Sequence, residues 1–136
     1  MKVVRRAFLA LGVVVVAGAL YRAWYVYGGW PAPNGYSLPR NSMLGGPTAL
    51  YVGTLEDVEG CIRAAGDISF AVVWPPGYHL SIEGGEPVIY GRFREVGMGE
   101  PVRMGGGYYE DGRPPPGTRD VGSCAPPFFL STGFSD

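Results

Sequence analysis

The chain has 136 residues, room for one domain, and its 46% hydrophobic and 13% aromatic content excludes the disordered class that 23 glycines and 13 prolines would otherwise suggest. The formal charge of −1 hides an asymmetry: Lys2, Arg5 and Arg6 precede an apolar run, and after Leu20 eight arginines face twelve acidic residues, a balance of −4. An acidic balance of this kind argues against nucleic acid as a partner, because phosphate backbones are held by clustered cations.

Ala7 to Leu20 is an uncharged apolar run of fourteen residues behind that basic start. Its length suits the core of a signal peptide, and Ala17-Gly18-Ala19 offers small residues for cleavage before Leu20. A second reading extends the segment past Arg22 to Tyr27 as a membrane anchor, with Trp24, Tyr25, Tyr27 and Trp30 as an interfacial aromatic belt. Both readings export the remainder of the chain, either to the outer face of the cytoplasmic membrane or as a secreted protein, because the Arg5-Arg6 end stays in the cytoplasm. Arg5-Arg6-Ala7-Phe8-Leu9 also resembles a twin-arginine export motif. The first cysteine after the run is Cys61, so a lipid anchor of the lipoprotein type has no attachment atom beside it.

Residues 28–47 hold five glycines and four prolines with no apolar period, and read as an extended, mobile spacer. The remaining 48–134 read as one small β domain. Ala49 to Glu56 predicts a first strand, with Gly53 a candidate bulge because Leu50 and Val52 share one parity and Leu55 the other. Asp57-Val58-Glu59-Gly60 predicts a turn and Cys61 to Ala64 a second strand.

Ile68 to Trp74 predicts the central strand. Ile68, Phe70, Val72 and Trp74 form its bulky face, and Ser69, Ala71 and Val73 a smaller face that can be covered closely. Pro75-Pro76-Gly77 ends it, since proline cannot donate to a ladder and glycine is free to reverse the chain. Tyr78, Leu80 and Ile82 then alternate with His79, Ser81 and Glu83 as a half-buried strand. Val88 to Tyr90 comes next, resuming through Phe93 to Val96, then Val102 to Met104, with Gly105-Gly106-Gly107 as the strand end. A loop from Glu110 to Ser123 leads to Phe128-Phe129-Leu130, a closing strand. Phe70, Val72, Trp74, Leu80 and Ile82 are the expected structural core. Five to seven strands with no helical period predict an all-β fold: a small barrel of the oligonucleotide/oligosaccharide-binding (OB) type, or a compact two-layer sheet.

A domain this small gains from a staple, and its only cysteines, Cys61 and Cys124, are sent to an oxidising compartment. A disulfide is expected, holding the last strand against the second. It closes a loop of about 60 residues, worth on the order of 4 kcal/mol by chain entropy.

The ordered landmarks Gly53-Thr54-Leu55, Gly60-Cys61-Ile62-Arg63, Val73-Trp74-Pro75-Pro76-Gly77-Tyr78, Glu100 to Gly107, and Cys124 with Pro127-Phe128-Phe129 resemble an uncharacterised group of small bacterial exported proteins and lipoproteins. The resemblance spans residues 49 to 131 and implies a shared β fold and extracytoplasmic location. It brings no catalytic residues.

Candidate chemistry is sparse. His79 is the only histidine, and the cysteines are consumed by each other, so zinc lacks its ligand set and no metal is expected. Glu56, Asp57 and Glu59 form the one acidic cluster and read as a hairpin turn, since no calcium-loop spacing is present. Gly105-Gly106-Gly107 lacks the helix and Lys-Ser/Thr of a phosphate cradle, and no cofactor is expected. Tyr108 and Tyr109, beside flexible glycines, are the candidates for ligand contact. The leading expectation is a non-enzymatic extracytoplasmic domain that binds a protein or glycan of the cell envelope. The alternatives are a small hydrolase using Glu56, Asp57 or Glu59 with His79, and an architectural subunit of a membrane complex.

Overall fold

The computed structural model describes residues 2–25, 29–43 and 45–136. Tyr27 and Gly28, expected in the aromatic belt and at the start of the spacer, lie outside the described residues.

Helix α1 (Lys2–Ala23) is built from residues that favour helices or tolerate them in an apolar setting. Its Arg6–Ala23 stretch has a mean hydropathy of 1.6, and none of it is buried within the protein. Eighteen residues at helical rise extend about 27 Å, close to the ~30 Å of a bilayer core. A helix that is apolar on every side and unburied along this stretch suits a lipid environment.

Eight strands come after it: β1 (Ala49–Val58), β2 (Cys61–Ala64), β3 (Phe70–Val73), β4 (His79–Glu83), β5 (Glu86–Tyr90), β6 (Glu95–Gly97), β7 (Pro101–Tyr109) and β8 (Phe128–Phe134). The protein is therefore mostly β with one N-terminal apolar helix, and its strands, one more than the sequence led us to expect, form two sheets. In the first, the ladder runs β1-β2-β3-β8-β7 and returns from β7 to β1. Closure depends on the length of β1, whose Ala49–Thr54 half pairs with β7 while its Leu55–Val58 half pairs with β2. All pairings in this sheet are antiparallel except β3 with β8, which run parallel with Val72 opposite Phe129. The second sheet is the meander β4-β5-β6.

Strand β3 is buried on both faces. Phe70, Val72 and Trp74 join Tyr51, Leu55, Ile62, Met104 and Phe129 in the main core, to which the meander adds Leu80, Ile89 and Val96. On the other face Ala71 and Val73 meet Phe128, Leu130 and the disulfide. Cys61 and Cys124 are joined, with Cα atoms 5.3 Å apart. The bond ties the start of β2 to the loop ahead of β8, whereas β8 itself takes its hydrogen bonds from β3 and β7 rather than lying on β2.

Several local expectations are corrected. Ile68 is 57% exposed, because the ladder with β2 begins only at Phe70 opposite Ala64 and leaves Ile68 beyond the sheet. Ile82 is 39% exposed, near the tip of the β4–β5 hairpin. Phe93 belongs to no strand and is 91% exposed. Gly53 makes no bulge: the register passes evenly from Val52 opposite Arg103 to Gly53 opposite Val102. The inward parity belongs to Tyr51, Gly53 and Leu55, and a side chain at Gly53 would strike the Tyr51 ring. That ring's hydroxyl lies 2.6 Å from the carbonyl oxygen of Thr54 and 2.8 Å from that of Ala65.

The three glycines at 105–107 do not end β7, which continues to Tyr109. The irregularity lies between Gly105 and Gly106 instead, and a Cβ at Gly106 would collide with the carbonyl oxygen of Leu130. Close backbone approach, not termination, explains the run.

The glycine-rich spacer is extended but not free of the domain. Ser37 bridges to Cys61, and Arg40 bridges to both Trp74 and Arg119. Leu38 and Asn41 are buried. The Glu59-Gly60 turn makes room for it: both residues have positive φ, as a two-residue hairpin requires, and a Cβ at Gly60 would overlap the carbonyl oxygen of Gly35.

Candidate functional site

Two clefts open where the chain arriving from α1 meets the β domain. The first, of about 420 Å³, is lined by Trp30, Pro31, Tyr36, Arg40, Asp120 and Gly122, among others. Its walls come from the 29–40 segment and from the loop between β7 and β8. Paired bonds hold these together, Arg40 N–H to Arg119 O at 2.9 Å and Arg119 N–H to Arg40 O at 2.8 Å. Ser37 Oγ adds a second tie, accepting from Ser123 N–H at 3.0 Å.

The Arg40 guanidinium donates to the carbonyl oxygen of Trp30 and so fixes one rim of the cleft. Burial pulls the Arg40 pKa down, and nearby Asp120 partly opposes that shift. An arginine keeps its proton across the physiological range even so. The cleft therefore pairs a cation and a carboxylate with an aromatic rim.

Trp30 is 57% exposed and leads into a run of rings. Its centroid lies 5.6 Å from Trp24 and 5.9 Å from His79, and His79 stacks on Tyr90 at 5.0 Å with planes 9° apart. The last contact arises from register, since His79 and Tyr90 are directly opposite in the β4–β5 ladder. Burial, then the charge of Arg40, pushes the His79 imidazole below its ordinary range. It is neutral at pH 7 and behaves as an aromatic plate. Tyr90 donates to Glu83, a bond that raises the pKa of its phenol.

No protein-family model, curated protein or solved structure matches this chain. The chemistry of its clefts must be read from the residues themselves.

The second cleft, of about 460 Å³, gathers Arg22 from the last turn of α1 and Tyr25 just past it, Pro75 and Pro76 from the reversal, Arg92 and Phe93 from the β5–β6 connection, and Phe134 from β8. Tyr78 braces it, its hydroxyl accepting from Phe134 N–H at 2.9 Å.

The carboxylates singled out in the sequence are committed elsewhere. Glu56 accepts from Ser69 Oγ at 2.8 Å, and Ser69 Oγ in turn accepts from Arg63 Nε at 2.8 Å. Asp57 accepts from Gly60 N–H at 2.9 Å and from the Tyr36 hydroxyl at 3.2 Å. Glu59 occupies the left-handed position of the turn. His79, on β4 of the other sheet, packs between Trp30 and Tyr90, so the structure does not bring it together with Glu56, Asp57 and Glu59. Among the described residues no group of three or more His, Cys, Asp or Glu is placed to hold a metal ion.

Tyr108 and Tyr109 lie away from both clefts. Tyr108 is 44% exposed and sets its ring edge-to-face against Phe70 and Phe129, each at 4.9 Å, while Tyr109 packs on the disulfide cluster. Arg40 and Asp120 were missed in the sequence because nothing in local spacing joins residues eighty apart. Leu38, an apolar residue inside a Gly/Pro stretch, was the available sign that this segment docks.

Proposed function

We propose that this protein is a non-enzymatic extracytoplasmic β domain, held at the outer face of the membrane by α1, that binds a glycan of the cell envelope in the Trp30–Arg40 cleft. The observation that carries this reading is the half-exposed Trp30 ring at the mouth of a cleft supplied with Arg40, Asp120 and Ser37. Sugars are taken by pairing a flat aromatic face with hydrogen-bonding groups of both polarities, and the cleft volume is within the range of small-ligand sites. The apolar helix and the disulfide support an exported location.

We read the closed sheet as OB-like. Counting only its five strands along the chain, the order is first, second, third, fifth, fourth, with the third and fifth parallel. Such barrels bind ligands over the outer face of their second and third strands. Here that face carries Cys61, Arg63, Ala71 and Val73, all buried under the protein's own chain. A ligand of this domain therefore needs another surface, and the cleft beside Trp30 offers one.

Titrating the full-length chain with soluble envelope oligosaccharides, read by indole fluorescence and by calorimetry, tests the proposal. Binding weakened at least tenfold by Trp30→Ala, with Tyr108→Ala unaffected, is the expected result. Absence of binding to all fragments, or equal binding by the Trp30→Ala protein, would overturn it.

A further inference from the structure

The β5–β6 connection carries Arg92-Phe93-Arg94, and Phe93 is the most exposed large hydrophobic side chain among the described residues. A single exposed apolar residue is ordinary on a soluble surface. This one shares a cleft with Arg22 and Tyr25, the residues at which α1 leaves its apolar stretch. Tyr21 and Trp24, on the same last turn, are exposed as well.

Charge is segregated here too. The chain after Leu20 is acidic overall, at −4, yet the lining of this cleft includes Arg22 and Arg92 and no Asp or Glu. Arg94 and then Glu95 follow, so the exposed turn itself keeps an excess of one positive charge, with Arg94 also donating to Pro101 O at 3.4 Å. Arginines around an aromatic tip match the chemistry of an anionic headgroup layer over an apolar interior.

The tip is also braced before any contact. Gly91 N–H donates to Arg94 O at 2.8 Å and closes the turn. The Arg92 guanidinium lies 5.5 Å from the centre of the Phe93 ring, and that of Arg94 lies 5.9 Å from Phe134. Gly91 admits Phe134 and Tyr78 to within 3 Å of where its Cβ would stand, so the base of the connection is wedged against the core. Little ordering is left to be done on binding.

We propose that Arg92-Phe93-Arg94 is a second membrane contact: Phe93 enters the interfacial layer of the leaflet from which α1 emerges, while Arg92, Arg94 and Arg22 hold anionic headgroup phosphates. The domain then sits down on the bilayer in one orientation, with the Trp30 cleft beside the surface. This inference rests on the reading of α1 as a retained span.

Site-directed spin labelling of the full-length chain tests both points separately. The protein is reconstituted in bilayers of equal phosphatidylcholine and phosphatidylglycerol, with single labels at Phe93→Cys, Val14→Cys and Ile68→Cys. The native cysteines are bonded to each other and do not compete. Collision with oxygen relative to a polar nickel chelate reports depth. The expected result is a lipid-like ratio at 14, an aqueous ratio at 68, and a ratio at 93 severalfold above that at 68. Arg92→Ser with Arg94→Ser should return position 93 to the value at 68, as should bilayers of phosphatidylcholine alone. A lipid-like ratio at 14 with an aqueous ratio at 93 would overturn the contact and spare the anchor, leaving the patch to a protein partner. An aqueous ratio at 14 would overturn the anchor and this inference with it.

Discussion

The indole of Trp74 lies stacked on the ring of Tyr78, with centroids 5.8 Å apart and planes 19° from parallel. The two are four positions apart, and Pro75-Pro76-Gly77 supplies the reversal, Gly77 at a φ of 85° that other residues rarely adopt. Phe134 completes the group at 5.8 Å from Trp74 and 5.2 Å from Tyr78. One local turn thus joins the end of β3, the start of β4 and the end of β8.

Trp74 is fully buried, so Trp74→Ala should cost about 3–5 kcal/mol and unfold the domain rather than silence it. Its Nε1 finds no acceptor among the described residues. Trp74→Phe loses ring volume but also removes a buried N–H whose burial costs about 1–3 kcal/mol, and it should be far milder. Chemical denaturation of both variants checks the ranking. A folded Trp74→Ala protein with near-normal stability would contradict this account.

Reducing the Cys61–Cys124 bond should destabilise the domain by about 4 kcal/mol, since it closes a loop spanning 63 positions. The loss should fall first on the 110–127 loop and on the 36–41 segment bridged to it and to Cys61. Hydrogen exchange with and without reductant measures this. Faster exchange confined to β1 and β7 would be the wrong pattern.

What could be read in advance was what period and turn chemistry control. The alternation Phe70, Val72, Trp74 gave the inward face of β3, and Pro-Pro-Gly gave its end. Where the strand begins was not legible, because Ile68 continues the alternation while the pairing partner β2 is already exhausted at Ala64. Phe93 misled for the converse reason: an aromatic beside Val96 reads as a strand resuming, and only tertiary position shows that it lies outside any strand and faces out. The glycines at 105–107 looked like an end because their real role, admitting the Leu130 backbone and Pro47, depends on residues distant in sequence. The cleft itself joins Trp30 and Arg40 to Asp120, a contact that no local pattern encodes.

Arg63 is a third point of fragility. Buried on the outer face of β2, it donates from Nη1 to Ala125 O at 2.7 Å, from Nη2 to Ser69 O at 2.5 Å and from Nε to Ser69 Oγ. Arg63→Ala removes three part-buried hydrogen bonds at once and should cost on the order of 1–3 kcal/mol. Arg63→Lys should rescue little, because an ammonium cannot reproduce a planar fork aimed at three acceptors. Equal stability of the lysine variant and the native protein would show that charge alone suffices.

The pH dependence of stability carries a signature of His79. Burial and Arg40 depress its folded-state pKa, whereas in the unfolded chain it titrates near its ordinary value of about 6.5. Above that value both states hold a neutral imidazole and the full stability is present. As pH falls below it, the unfolded state takes the proton first, so stability declines down to the folded-state pKa and levels off beneath it. The melting temperature should accordingly be lower near pH 5 than near pH 7.5. Because carboxylates also titrate toward the acid end, the comparison that isolates the effect is with His79→Phe, which keeps a ring between Trp30 and Tyr90 and has no proton to gain. Its melting temperature should fall less over the same interval. An identical fall in the two proteins would mean that the imidazole is as easily protonated in the folded domain as in the open chain, and that the stacked position does not exclude the charge.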